Sequence, residues 1–295
     1  MMSEDGGMSS SYMIAGALLM YALGYIRGLS PSALGKIGCE AATRASAPPS
    51  APNTARLRRA LAQIKRADLQ TGDVVLLSKR RWNTLYDMGL SLYFGSHVVM
   101  VLRRDDGTLF GIDAAPHKSN RRINPVVLFR TSVDYGGVRI LRLEPYIEHY
   151  VQRYDATVFA YRLIANDTPE SRLANAALMD AFSSVVWRSY PRRERMFANF
   201  LQYNMLRMHE LYYKPTDDGT APKLPYHRAT AVHKWLEKHV NYDDPTSNCS
   251  QLIAQLLVRC EQLPSTFPWR TCVPKDFNDR LVDDGIYRVL FYELE

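Results

Sequence analysis

The stretch Ser96-His-Val-Val-Met-Val-Leu-Arg-Arg-Asp-Asp-Gly-Thr-Leu-Phe-Gly-Ile-Asp-Ala-Ala115 reads as two apolar strands, Ser96–Arg103 and Thr108–Ala115, joined at Asp105-Asp106-Gly107. Its length leaves one question of parity open. Side chains alternate faces along a strand, so the number of loop residues decides which side chains share a face. A two-residue Asp106-Gly107 turn pairs Val99 with Ala114 and puts His97 and Asp113 on opposite faces. A three-residue loop with Gly107 left-handed pairs Arg104 with Thr108 and Val99 with Asp113. His97 and Asp113 are then diagonal neighbours, within reach of each other.

Around this hairpin, residues 72–78, 138–143 and 156–163 are further strand candidates. The character then changes. Residues 169–184, 193–213, 228–239 and 248–262 carry apolar side chains at helical spacing. Strands first and helices after indicate an α+β domain with an antiparallel sheet packed on helices, rather than a doubly wound sheet.

The N-terminal part is different in kind. No charged residue occurs between Gly6 and Ile26, and residues 12–26 are strongly apolar. That is just long enough to span a bilayer, so an N-terminal hydrophobic helix over residues 1–30 is expected as a retained membrane anchor. Glu4 and Asp5 stand where a signal peptide carries basic residues; a signal sequence or a buried helix are the alternatives. Arg27 and Lys36 follow the apolar run, which puts the main domain on the cytosolic side. Residues 31–67 are expected as a Pro/Ala linker, with three prolines between Thr43 and Asn53, followed by a short basic helix at 54–67. The folded domain is expected over 68–295, with a helical insert at about 162–242.

Length and composition fit one large folded domain: 295 residues, 46% hydrophobic and 23% charged. The net charge of +7 is spread through doublets such as Arg80-Arg81, Arg103-Arg104 and Arg192-Arg193, and no nucleic-acid module accompanies them. No specific nucleic-acid partner is expected. The four cysteines, Cys39, Cys249, Cys260 and Cys272, form neither a CxxC pair nor a zinc spacing, and are read as reduced thiols.

Within Pro245-Thr-Ser-Asn-Cys-Ser-Gln-Leu-Ile-Ala-Gln-Leu-Leu-Val-Arg-Cys260, residues Thr246, Ser247 and Asn248 are helix N-cap types, which sets Cys249 in the first turn. Unpaired N–H groups and the positive end of the helix dipole stabilise a thiolate there. Taken alone, Cys249 reads rather as a small buried hydrophobe, the ordinary role of a free cysteine. His97 opens a buried strand, where packing aims a base; on its own it reads as a strand-end histidine bonded to backbone. Asp113 lies on the partner strand, where a carboxylate fixes an imidazole tautomer, and a buried aspartate needs a partner in any case. The three together outweigh any one of them. His227, His233 and His239 recur every six residues and share no helical face, so no metal site is expected. His117 is a weaker candidate for the base, because its position beside Pro116 after the strand puts it on a loop. No HExxH, GxSxG, phosphate-cradling loop or Rossmann fingerprint occurs, and no cofactor is expected.

In order, Gly72-Asp73-Val-Val-Leu, Ser96-His97-Val-Val-Met-Val, Gly111-Ile-Asp113-Ala, Asn248-Cys249-Ser250-Gln-Leu-Ile and Val273-Pro274-Lys-Asp276-Phe277 resemble the circularly permuted NlpC-type papain-like proteins. That family includes YiiX-like bacterial proteins, members from large DNA viruses and, more distantly, lecithin retinol acyltransferase. The resemblance covers residues 70 to 290, and the histidine strand precedes the cysteine helix as in that family. It implies a papain-like fold and a thiol hydrolase or acyltransferase acting on an amide or ester bond, with Cys249 as nucleophile, His97 as base and Asp113 as the residue orienting it. Two features depart from the family pattern: Asp113 where a glutamate is common, and the long insert.

The expected partners are membrane lipid at the N-terminal segment, a lipid or peptide substrate, and other proteins at the insert. The rival reading is a membrane-tethered structural or virion protein that retains the fold without catalysis. An occupied cleft, filled by an aromatic such as Trp82 or Tyr93, is its signature.

Overall fold

The computed structural model describes residues 54–78, 97–116, 127–130, 136–191 and 245–292. These begin with helix α1 (Thr54–Ala67) and strands β1 (Val74–Ser78), β2 (His97–Arg103), β3 (Leu109–Pro116), β4 (Val127–Arg130) and β5 (Gly136–Arg142). Helix α2 (Leu143–Tyr154), strand β6 (Thr157–Leu163) and helix α3 (Asn175–Ser183) follow. Helix α4 (Cys249–Arg259), a short α5 (Arg280–Asp283) and strand β7 (Tyr287–Tyr292) complete them. The strands form one antiparallel sheet in the order β4-β5-β3-β2-β1-β6-β7, so the fold class is α+β.

Both faces of the sheet are covered, which is why β1 and β2 are nearly continuous runs of Val, Leu and Met rather than alternating sequences. Val74, Leu76, Val98, Met100, Ile112, Ala114 and Val138 pack on one face with α3 and α4. Val75, Leu77, Val99, Val101 and Leu141 pack on the other with α1 and α2. Helix α1, read from sequence as lying ahead of the domain, belongs to this second core. Leu57, Ala60 and Ile64 are buried along one stripe, and Arg56 bonds Asp155 Oδ1 at 2.9 Å and Thr157 Oγ1 at 2.8 Å.

The hairpin of β2 and β3 has the three-residue loop. Arg104 N donates to Thr108 O at 3.0 Å, Gly107 takes φ +81°, and the register runs from Arg103↔Leu109 to Met100↔Ile112. Extended by parity, Val99 faces Asp113, and His97 and Asp113 share a face.

Several elements went unassigned in the sequence reading. Helix α2 fills the gap left between two expected strands; Leu143, Tyr146, Ile147, Tyr150 and Val151 are its buried stripe, with Pro145 in its first turn. Strands β4 and β7 lie at the two edges of the sheet, and β4 has only four residues. Residues 162–191, expected within the insert, supply core: Leu163, Leu173, Leu178, Phe182 and Val185 are buried against α4. The helix expected over 169–184 is confined to α3, and the one expected over 248–262 ends at Arg259, with Glu261 in the left-handed region. The expected anchor at 1–30, the linker over 31–53, the helices at 193–213 and 228–239, Cys39, Trp82, Tyr93, His117, His227, His233 and His239 lie outside the described residues.

Candidate active site

Helix α4 starts where the cap chemistry requires. Asn248 Oδ1 accepts from Gln251 N at 2.9 Å while Gln251 Oε1 accepts from Asn248 N at 3.1 Å, a reciprocal capping box. The preceding residues are clamped as well: Ser189 N donates to Pro245 O and Ser247 N donates to Ser189 O. Cys249 is therefore the first helical residue, and its own N–H has no intrahelical acceptor. The helix is buried all round rather than on one face. Ser250 Oγ donates to Cys272 O at 2.8 Å, and Gln251 Nε2 to Arg270 O.

His97 and Cys249 approach from opposite sides of the sheet. By alternation His97 lies on the face of Val99 and Val101, toward α2, whereas Cys249 belongs to the core on the α4 face. They meet at the end of β2 where the β2–β3 ladder has stopped, at Met100↔Ile112, short of His97 and Val98. Arg104 directs its N–H toward β3, so Val98, an even number of residues away, does the same. Beyond the end of the ladder that N–H favours the ionised form of Cys249.

Asp113 is fully buried, and His97 Nε2 lies 2.8 Å from its Oδ2. With Nε2 committed to the carboxylate, Nδ1 is the ring nitrogen left for the thiol. Tyr150 stacks on the imidazole with ring centroids 5.5 Å apart and planes 14° apart. Tyr146 Oη donates to Asp113 Oδ2 at 2.9 Å and lies 3.1 Å from His97 Nε2. Arg139 stands directly opposite Asp113 in the β3–β5 ladder. Its Nε donates to Oδ1 at 2.7 Å, and its Nη2 donates to Oδ2 and to Tyr146 Oη. The three residues singled out from sequence are thus brought together.

The electrostatics follow from this geometry. Burial works against the charge of Asp113, but Arg139 and His97 outweigh it and hold the carboxyl well below the usual carboxylate range. Burial likewise opposes a charged His97, yet the negative charges of Cys249 and Asp113 and hydrogen-bonding contact with both raise it to about 9. For Cys249 burial favours the neutral thiol, and the His97 charge, a hydrogen-bonding contact with it and the Val98 N–H reverse this, leaving the thiol lowered. Of the three described cysteines only Cys249 moves toward the thiolate: burial pushes Cys260 up to about 11 and Cys272 well above an ordinary thiol. An imidazolium–thiolate pair is the state this arrangement favours.

Arg139, Tyr146 and Tyr150 were not singled out in the sequence. Arg139 was detectable as a charge inside the apolar run Val138-Arg-Ile-Leu141 of an expected strand, since a buried charge requires a partner. The i, i+4 spacing of the tyrosines was detectable only once α2 was recognised. Asp73 and Asp276, both within the stretches carrying the family resemblance, are architectural. Asp73 accepts from Gln70 N, Leu163 N and Asn166 Nδ2, and Asp276 accepts from Val273 N at 2.8 Å.

Among the described residues, no group of three or more His, Cys, Asp or Glu side chains is arranged to hold a metal ion, and no helix is long and apolar enough to cross a membrane. No family model and no curated protein matches the chain.

Proposed function

We propose that the protein is a thiol hydrolase or acyltransferase of the permuted NlpC type, with a papain-like arrangement of sheet and cysteine helix. The observation carrying this reading is the ordered set Cys249, His97 and Asp113, in which a 2.8 Å hydrogen bond fixes the imidazole and the thiol facing it is shifted toward thiolate. The Cys249 sulfur attacks the carbonyl carbon of an amide or ester, and the carbonyl oxygen takes up the negative charge beside the Cys249 N–H. The tetrahedral adduct collapses as the His97 imidazolium gives its proton to the departing amine or alcohol, leaving a thioester. Neutral His97 then takes a proton from water, or from an acceptor hydroxyl or amine, as that group attacks the thioester, and the adduct collapses by breaking its C–S bond, releasing the acyl product and restoring the Cys249 thiolate beside the His97 imidazolium.

The test is labelling with an acyl-type thiol-directed probe, compared between wild type, Cys249→Ser and His97→Ala. Labelling of the wild type alone supports the reading; equal labelling of wild type and His97→Ala removes the base.

Anchoring belongs to the same proposal. The apolar segment at 1–30 tethers the domain on the cytosolic side or within a viral particle, close to lipid or membrane-proximal substrate. Deleting residues 1–30 is expected to move the protein from the membrane fraction to the soluble one.

The rival reading, a structural protein that has retired the site, draws on one observation: Cys249 and His97 are only 5% and 6% exposed. Under that reading the probe leaves Cys249 unlabelled until the protein is unfolded.

A further inference from the structure

We propose that Arg139 is a positioning residue of this site: acting through Asp113, it keeps the carboxylate ionised and fixed in plane, and so keeps His97 turned toward Cys249. This rests on the reading of Cys249, His97 and Asp113 as the reacting set.

The argument begins with the carboxylate. Asp113 has no exposure to solvent, and an isolated carboxyl in such a place takes up a proton rather than remain charged. A protonated Asp113 accepts poorly from the imidazole and loses the charge that favours imidazolium. Arg139, itself 1% exposed, prevents this with a two-pronged contact, Nε on Oδ1 at 2.7 Å and Nη2 on Oδ2. The planar fork leaves the carboxylate one orientation.

Tyr146 extends the control. It accepts from Arg139 Nη2 at 3.0 Å and donates to Asp113 Oδ2 at 2.9 Å, so its hydroxyl direction is set by the arginine. Oδ2 therefore receives donors from Arg139, Tyr146 and His97, all buried, and rotation of the carboxylate would break several bonds at once. The result is an alternating row: Cys249 thiolate, His97 imidazolium, Asp113 carboxylate, Arg139 guanidinium. A buried ion pair is a poor device for stability, since neutral or apolar replacements of similar shape often do as well. Holding a charged acceptor against His97 is what a neutral pair cannot do.

Tyr146 and Tyr150 face this row from α2, with Tyr154 behind Tyr150. Cys272, in the same core as Cys249, interacts with it electrostatically, and Asp276 and Arg280 act in turn on Cys272. None of these supplies a cation to Asp113.

The test uses the full chain and the pH dependence of iodoacetamide alkylation at Cys249, followed by mass spectrometry of the Cys249 peptide, which requires no substrate. In Arg139→Gln, Asp113 becomes either protonated or an uncompensated anion, and both raise the thiol. The midpoint is expected to move up by about one pH unit, a roughly tenfold loss of thiolate below the midpoint. Arg139→Lys, which restores charge without the fork, is expected to recover part of that shift. The double variant Asp113→Asn with Arg139→Gln, a neutral pair that removes the burden of an unpaired buried charge, is expected to match Asp113→Asn alone.

A wild-type midpoint in Arg139→Gln, or a shift that adds to that of Asp113→Asn, overturns the proposal. Should Arg139→Gln not fold, Arg139→Lys with a wild-type midpoint supports charge alone and overturns the fork, while the double variant still tests action through Asp113. The two failures are distinct. An ordinary midpoint in the wild type sinks the reacting set itself; a low one, untouched by Arg139 variants, sinks only this inference.

Discussion

Asp113 and Arg139 are directly opposed partners on β3 and β5, and the carboxylate that holds the guanidinium is the one that holds His97. Orientation of the imidazole is thereby tied to a backbone register, and a single side chain serves both the site and the sheet.

Asp113→Asn should consequently cost stability and reactivity together. Removing one member of a buried ion pair costs about 3–5 kcal/mol, because the other charge is left uncompensated. Urea unfolding of the variant is expected to show a loss of that order, with Cys249 alkylation at neutral pH falling in parallel. Wild-type alkylation in a destabilised variant would detach Asp113 from His97.

Acid stability carries the same signature, with its sign fixed by linkage. The folded-state Asp113 carboxyl lies below its unfolded value of about 3.9, so its contribution is present above that pH and is lost as pH falls toward the folded value. Within that window the wild type should lose up to about 1.4 kcal/mol per pH unit on account of this group, a slope absent from Asp113→Asn.

Turnover should be bell-shaped in pH. The ascending limb follows deprotonation of Cys249, below the free-cysteine reference of about 8.5. The descending limb follows loss of the His97 proton near pH 9, since the imidazolium is the proton donor to the leaving group. Hydrolysis of a chromogenic ester across pH 4–11 measures both limbs; a single sigmoid rising through pH 9 would mean that the imidazolium does not act as acid.

Two glycines of the hairpin should behave differently. A Cβ on Gly107 meets no atom within 4 Å, so Gly107→Ala is opposed only by the left-handed backbone, at roughly 1–2 kcal/mol, and should leave Cys249 alkylation intact. A Cβ on Gly111 meets Val99 Cγ1 at 2.5 Å and Leu141 Cδ1 at 2.9 Å. Gly111→Ala should cost about 1–3 kcal/mol by overpacking and also disturb alkylation, because Val99 sits opposite Asp113.

Helix α1 should be indispensable to the domain. Ile64→Ala is expected to cost about 2–5 kcal/mol, as for other large-to-small core changes. Truncation at residue 67 should leave material that melts lower than the chain starting at residue 54. Equal melting temperatures would return α1 to the linker.

Local chemistry written into adjacent residues is legible in the sequence alone. The Val-rich strands, the Asp-Asp-Gly loop, the caps ahead of Cys249 and the period of α1 each depend on neighbours a few positions apart, and short-range sterics and hydrogen bonding decide them. Helix α2 had the same kind of signal, in Leu143, Tyr146, Ile147, Tyr150 and Val151, but strand candidates on either side obscured it. The loop parity left His97 and Asp113 either together or apart, and the cross-strand hydrogen bonds resolved it. Other features depend on segments far apart in the chain. That Arg139 faces Asp113 comes from β5 pairing with β3 rather than with another strand; that Tyr150 covers His97 comes from how α2 folds back on the sheet. Cys249 comes to His97 from the helix on the opposite face, at the end of β2 where the ladder to β3 has stopped. Such encounters are fixed by burial on both sides of a sheet, where packing and the pairing of buried charges act between residues that lie well beyond the reach of local periodicity, from 26 positions apart for Asp113 and Arg139 to 152 for His97 and Cys249.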